Sequence, residues 1–291
     1  MPKTLEKPNK TRRIWLLPIV LLLLTVAVLV LAAGQLRPVG QVLHPKRTVT
    51  VNDGVNTVEL VPREGVPVSR LAAEAFSAED GVVSYHGAAR QGIDVSAHQG
   101  EIDWQQVADS GITFAYLRLG YRGTVEGQLN TDQRFAENWS GARAAGLDVG
   151  VYFFSQALDE REAIEEADYV LSVLDGQRPE LPVMFDWEAV DKANSRTAGR
   201  EAQVITACAA AFCHRLAASG YEAGIYFNRQ QGYYSYDLSQ LKDYAFWVAD
   251  PKDRPDFYYA FRIWQYSFTG TVPGIGTVVD RDLLFEEEVT G

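Results

Sequence analysis

Residues 182–188 read Pro182-Val183-Met184-Phe185-Asp186-Trp187-Glu188, a short apolar run of β type that turns acidic at its far end. Seven more short apolar runs surround it in the chain: Gly92–Ser96, Thr113–Gly120, Asp148–Ser155, Glu222–Asn228, Tyr244–Asp250, Phe261–Ser267 and Thr277–Leu283. The first five of the eight are separated by stretches long enough for an amphipathic helix, which is how parallel strands are connected. The last three are joined by short segments rich in Pro and Gly, Asp250-Pro251-Lys252-Asp253-Arg254-Pro255 and Gly270-Thr271-Val272-Pro273-Gly274, which leave little room for helices. The pattern predicts an α/β fold, a TIM-like β/α barrel with eight strands and fewer than eight helices, over about 200 residues against the usual ~250.

Polar residues at the carboxyl ends of barrel strands are informative, because active sites gather there. Asp186 and Glu188 are two residues apart, so they share the inward face of their strand with α-carbons about 6.5–7 Å apart. Like charges that close raise at least one pKa, which keeps a carboxylic acid protonated near neutrality and available as a general acid. Asp94, in Gly92-Ile93-Asp94-Val95-Ser96, and Asp280, in Val278-Val279-Asp280, interrupt two other strands. Closure of a barrel makes the first and last strands neighbours, so these two acids are expected together on the other side of the opening. A lone strand acid also has a plain structural explanation, capping a helix or pairing with a buried Arg. Two chemistries fit such an anionic mouth, glycoside hydrolysis by paired carboxylates and a divalent metal held by oxygen ligands. Tyr121, Tyr152, Trp187, Tyr226, Trp247, Trp264 and Tyr266 near the strand ends favour sugar, whose rings stack on aromatic faces; taken singly, each also reads as core packing.

Outward from the barrel, the amino-terminal part carries a different signal. Residues 1–13 hold Lys3, Lys7, Lys10, Arg12 and Arg13 against Glu6, and Ile14 to Ala33 are without charge. An apolar run of that length spans roughly 30 Å, and basic flanks stay cytoplasmic. The expectation is a cytoplasmic tail over 1–13, a transmembrane anchor over 14–33 and an extracytoplasmic remainder at the bacterial cell membrane. A cleaved signal peptide, cut near Ala32-Ala33-Gly34, is the competing reading, though its apolar core is usually about 7–15 residues. Residues 34–89 are expected as a stalk or small cap, with a hairpin about Asn52-Asp53-Gly54 and a short helix near Ser69 to Ala78, and 90–291 as the catalytic barrel.

The 291 residues are 47% hydrophobic, enough for a sizeable core, and the formal net charge is −11. Beyond residue 33, 22 basic residues face 37 acidic ones, which argues against nucleic acid as a partner. Cys208 and Cys213 are the only cysteines. Five positions apart in the helix-like run Gly199 to Ser219, they are about 7.5 Å apart along an axis and point to different sides, so they read as buried hydrophobes rather than a bridge.

The motifs together resemble glycoside hydrolase family 25, the Chalaropsis-type lysozymes or N-acetylmuramidases. The resemblance rests on Gly92-Ile93-Asp94-Val95-Ser96 with His98-Gln99-Gly100 and Ile102-Asp103-Trp104, on Asp186-Trp187-Glu188, on Trp264-Gln265-Tyr266, and on Val272-Pro273-Gly274-Ile275 with Val279-Asp280. It implies hydrolysis of the β-1,4 bond between N-acetylmuramic acid and N-acetylglucosamine, with Glu188 as proton donor, Asp186 as its partner carboxylate, and Asp94 and Asp280 as supporting acids. Tyr152 matches the family's tyrosine on the third strand, whereas Phe153 stands where the family often has His. Leu117-Arg118-Leu119-Gly120-Tyr121-Arg122-Gly123 resembles the second-strand edge of some bacterial members, where Arg122 meets substrate. The candidate substrate-binding set is thus Tyr121, Arg122, Tyr152, Trp187, Tyr226, Trp247 and Gln265. No metal or organic cofactor is implied. The expected partners are peptidoglycan glycan strands and, through the amino-terminal helix, the membrane, with the catalytic domain acting as a monomer. The rival from another class is a barrel that holds cell-wall glycan without cutting it.

Overall fold

The computed structural model describes residues 47–190, 194–198 and 202–286. The apolar run Ile14–Ala33 and the basic tail before it lie outside them, and among the described residues no helix is long and apolar enough to cross a membrane. In chain order the strands are β1 (Val49–Asn52), β2 (Thr57–Leu60), β3 (Phe76–Glu79), β4 (Val82–Tyr85), β5 (Ala89–Val95), β6 (Phe114–Arg122), β7 (Leu129–Thr131), β8 (Asp148–Ser155), β9 (Val183–Trp187), β10 (Ala223–Asn228), β11 (Ala245–Ala249), β12 (Ile263–Gly270) and β13 (Val279–Phe285). The α-helices among the described residues are α1 (Trp104–Asp109), α2 (Phe135–Ala144), α3 (Glu160–Leu174) and α4 (Ala202–Ala218).

Eight strands close a ring in the order β5, β6, β8, β9, β10, β11, β12, β13, with β13 returning to β5. Seven run parallel from β5 to β12, and β13 is antiparallel to both its neighbours. The reason lies in the Thr271–Val278 connection, which is too short for the crossover a parallel strand would need. Side-chain alternation then makes two cores. Phe114, Tyr116, Met184, Trp247, Ile263 and Leu284 fill the barrel, while Leu117, Val151, Phe153, Phe185 and Ile225 face outward to helix residues such as Val170, Phe212 and Leu216. The interior is tight enough that a Cβ on Gly92 would lie 2.2 Å from the Phe114 ring and one on Gly150 would lie 2.3 Å from Tyr116.

The described residues before the barrel pack on it. Val51, Val66 and Val83 join the main core, and the Tyr259 hydroxyl accepts a hydrogen bond from Arg63 N at 2.8 Å. The hairpin about Asp53-Gly54 is present as β1 and β2. The helix expected near Ser69 to Ala78 is not. Ala73–Ala75 make a single 3₁₀ turn, and Phe76–Glu79 is a strand of a second hairpin. Asp80 and Gly81, with φ of 50° and 76°, form the tight turn that a two-residue hairpin requires, and this local geometry overrides the helical composition before it. Cys208 and Cys213 are buried free thiols on α4.

Candidate active site

A pit of about 210 Å³ opens at the carboxyl ends of the parallel strands. Asp94, Asp186, Glu188 and Asp280 line it together with Tyr152, Tyr226, Trp247 and Gln265. Their convergence follows from strand parity. Asp186 and Glu188 lie on the inward face of β9 and just past its end, and Asp280 on β13 is the register partner of Asp94 on β5 across the closing seam. Gln265 ties the seam together, its amide donating to Asp94 Oδ2 at 2.6 Å and to Asp280 Oδ2 at 3.3 Å, while its oxygen accepts the Tyr226 hydroxyl at 2.8 Å.

Electrostatics hold protons in this pit. Burial raises the pKa of Asp186 well above the ordinary value, and the Glu188 charge adds to it, with Arg118 pulling the other way. Burial likewise raises Glu188, with the neighbouring Tyr226 hydroxyl pulling the other way. Asp280 is pushed up to about 6, by burial first and by Glu188 second. Asp94 is raised well above the usual carboxylate range by burial, then by the charges of Asp282 and Asp280. Asp282, one inward position further along β13 and fully buried, is raised by burial too, although Trp247 Nε1 donates to its Oδ1 at 2.9 Å. Asp94 and Asp282 lie side by side with raised pKa values, which is the behaviour of two carboxyls sharing a proton. The arrangement supplies a partly exposed acid, a buried neighbour and a ring of acceptors, the equipment for protonating a glycosidic oxygen. Among the described residues no cluster of three or more His, Cys, Asp or Glu side chains is arranged to hold a metal ion.

A larger groove of about 860 Å³ adjoins the pit and shares His98, Arg118 and Phe154 with it. Tyr121 lines this groove, with the Arg118 guanidinium 5.3 Å from its ring centre. Two expected substrate residues lie elsewhere. Arg122 is buried behind the sheet, its Nε on Glu166 at 2.7 Å and its Nη2 on the Glu162 carbonyl at 2.8 Å. A bulge between Arg118 and Gly120 inserts one extra residue in β6 relative to β8, so that Tyr121 reaches the groove and Arg122 the helices. Trp187 also faces outward, its indole donating to the Ala157 carbonyl at 3.4 Å, because the parity that turns Asp186 inward turns its neighbour away. The aromatics Trp264 and Tyr266 belong to the outer core as well.

Arg118, which lines the pit, and Asp282, buried beneath it, were not among the residues expected from the sequence. Asp282 was legible by the same spacing argument as Asp186 and Glu188, since Asp280-Arg281-Asp282 places both acids on one strand face. Arg118 could be separated from Arg122 only by the bulge, for which the sequence carries no plain signal. Arg118 is fixed by an ion pair to the buried Asp132 at 2.7 Å.

The family described as Glycosyl hydrolases family 25 matches residues 93–275. The autolytic lysozyme of Clostridium acetobutylicum is 27% identical over 203 residues, which are 69% of this chain and 57% of that protein, so the chain spans little more than half of that relative. Lysozyme M1 of Streptomyces globisporus is 30% identical over 205 residues, 66% of this chain and 66% of that protein. The crystal structure of a bacterial lysozyme from Streptomyces coelicolor superposes with a TM-score of 0.53 at 27% identity, covering 69% of this chain and 94% of that one.

Proposed function

The chain belongs to glycosyl hydrolase family 25, and from that membership we propose that it is a peptidoglycan hydrolase, a muramidase that cleaves the β-1,4 bond between N-acetylmuramic acid and N-acetylglucosamine. The observation that carries this reading is the pit in which Glu188, half-buried and raised in pKa, stands beside Asp186, Asp94 and Asp280. Glu188 protonates the leaving oxygen. Asp186 steadies the positive charge that grows on the sugar ring or orients the N-acetyl group, and the Asp94–Gln265–Asp280 seam maintains the field that keeps the proton on Glu188. Tyr152, Tyr226 and Trp247 wall the pit where a pyranose enters, and Tyr121 extends the contact into the adjoining groove. Tethering by the run 14–33 outside the cytoplasmic membrane belongs to the same proposal, and protease digestion of intact cells that leaves the barrel uncut would count against it.

The direct test is Glu188→Gln in the full chain. Release of reducing ends from peptidoglycan should fall by about 10²–10⁴-fold, the usual contribution of a positioned general acid. A variant with wild-type rate removes Glu188 from this role. Mass spectrometry of the digest identifies the bond cut, and unchanged activity in a chelator dismisses a metal-dependent hydrolase. A protein that sediments with peptidoglycan but leaves its chain length unchanged is a binding barrel instead.

A further inference from the structure

The end of β9 is held in an unusual way. Its ladder pairs with β8 through Trp187 and with β10 through Asp186, so the chain carrying Glu188 continues past the last pair. The carbonyls of Trp187 and Glu188 are met there by two side-chain amides, one from the loop after β8 and one from the π-helical turn Gln231–Ser235 after β10. Gln231 Nε2 donates to the Trp187 carbonyl at 2.7 Å, and Gln156 Nε2 donates to the Glu188 carbonyl at 2.8 Å. Both glutamines are buried, Gln156 completely.

Each amide is oriented from behind. Gln156 Oε1 accepts the Thr197 hydroxyl at 2.8 Å, and its second Nε2 hydrogen bond goes to the Ser155 carbonyl at 2.8 Å. Gln231 and Asn228 form a reciprocal pair, the Asn228 N–H donating to Gln231 Oε1 and the Gln231 N–H to Asn228 Oδ1, both at 3.0 Å. Burying a carboxamide is unfavourable unless its donors and acceptor find partners, and these two find theirs in ways that fix the amide plane. A backbone terminus could have been satisfied by water. Here two planar groups pin consecutive peptide units from opposite sides.

We infer that Gln156 and Gln231 are positioning residues that clamp the main chain of residues 187–188 and so set where the Glu188 carboxyl stands in the pit. The inference rests on the proposed role of Glu188 as the acid. Neither glutamine touches substrate. Both act through the placement of a carboxyl whose proton affinity depends on its depth and on its distance from Asp186, and misplacement of a reacting group by about 1 Å costs up to about a hundredfold in rate.

The test uses the full chain with three variants, Gln156→Met, Gln231→Met and Thr197→Val, each near in volume to the residue it replaces, with Glu188→Gln as the reference. The expected result is a drop of about tenfold in kcat for either methionine variant with KM within about threefold, together with a displaced alkaline limb of the pH–rate profile, and a smaller change of the same kind for Thr197→Val. A merely structural clamp would lower the melting temperature and leave kcat per folded molecule and the alkaline limb where they are. Unmoved kcat and pH profile in the folded variants, against an inactive Glu188→Gln, overturn the inference alone. A Glu188→Gln variant with full activity overturns the reading on which it rests. Failure of all three variants to fold also overturns the clamp, since the amides would then be holding the fold and not the acid.

Discussion

Asp282 shows how one side chain sets the behaviour of a site it does not enter. It lies under Asp94, its Oδ1 accepts a hydrogen bond from the Trp247 indole, and its pKa is raised by burial. Asn in its place retains an acceptor for Trp247 and offers Asp94 a donor in place of a competing charge. Asp282→Asn is therefore expected to raise the melting temperature at pH 8 by about 2–4 °C, the shift that 1 kcal/mol produces in a domain of this size, and to flatten its dependence on pH. Calorimetry at pH 5 and pH 8 reads both, and a variant that melts lower at both values refutes the shared-proton description. At this scale the sequence was legible wherever a strand's period of two decides direction. It located Asp94, Asp186, Glu188 and Asp280 at one rim, and the same parity, applied to Trp187, turns that residue away. It was silent on Gln156 and Gln231, because a glutamine shortly after a strand gives no hint that its amide will complete a neighbouring strand.

Between elements, the bulge in β6 decides which of two arginines faces the groove and which ties the sheet to α3. Arg122, Glu166 and Ser155 form a buried knot, with the Ser155 hydroxyl on Glu166 Oε2 at 2.6 Å, and burial pushes Glu166 up to about 7 in spite of the guanidinium beside it. Arg122→Met leaves that carboxyl without its cation. At pH 8, where Glu166 is charged, the loss is expected at about 3–5 kcal/mol, and at pH 5, where Glu166 holds its proton, the loss is expected to be smaller. Denaturant titration at the two pH values measures the difference; equal losses would mean that Glu166 does not change charge between them. A second prediction concerns packing inside the ring. Gly150→Ala drives a methyl group into Tyr116 at 2.3 Å, so a loss of about 1–3 kcal/mol is expected from the same titration, and a neutral result would show that the ring yields. The sequence indicated the barrel strands to within three residues at each end, since apolar runs of that length bounded by turns are hard to mistake. It did not reveal β7 or the β3–β4 hairpin, which are short and owe their form to turns such as Asp80-Gly81 rather than to apolar pattern.

Over the whole molecule the raised carboxyls add in one direction. Asp94, Asp186, Glu188, Asp280, Asp282 and Glu166 all have folded pKa values above their ordinary ones. For each, the stabilisation is complete below the unfolded value near pH 4 and is lost as pH rises through the folded value. Glu166 alone, from 4.5 to about 7, accounts for a loss on the order of 3 kcal/mol between those limits. The chain is expected to melt several degrees higher at pH 5 than at pH 8, and a melting temperature that climbs with pH would contradict these protonation states. The eight-stranded closure was legible because chain order and linker length together leave few alternatives, whereas the reversed direction of β13 had to be seen. The closing pair of β13 with β5 joins residues far apart in the chain. Asp94 comes from the first strand of the ring and Asp280 from the last, some 186 residues later, and they face each other only once the circle is shut. A chain still being made, or one whose final hairpin has peeled away, lacks this pairing of Asp94 with Asp280, so the pit is complete only in the shut ring.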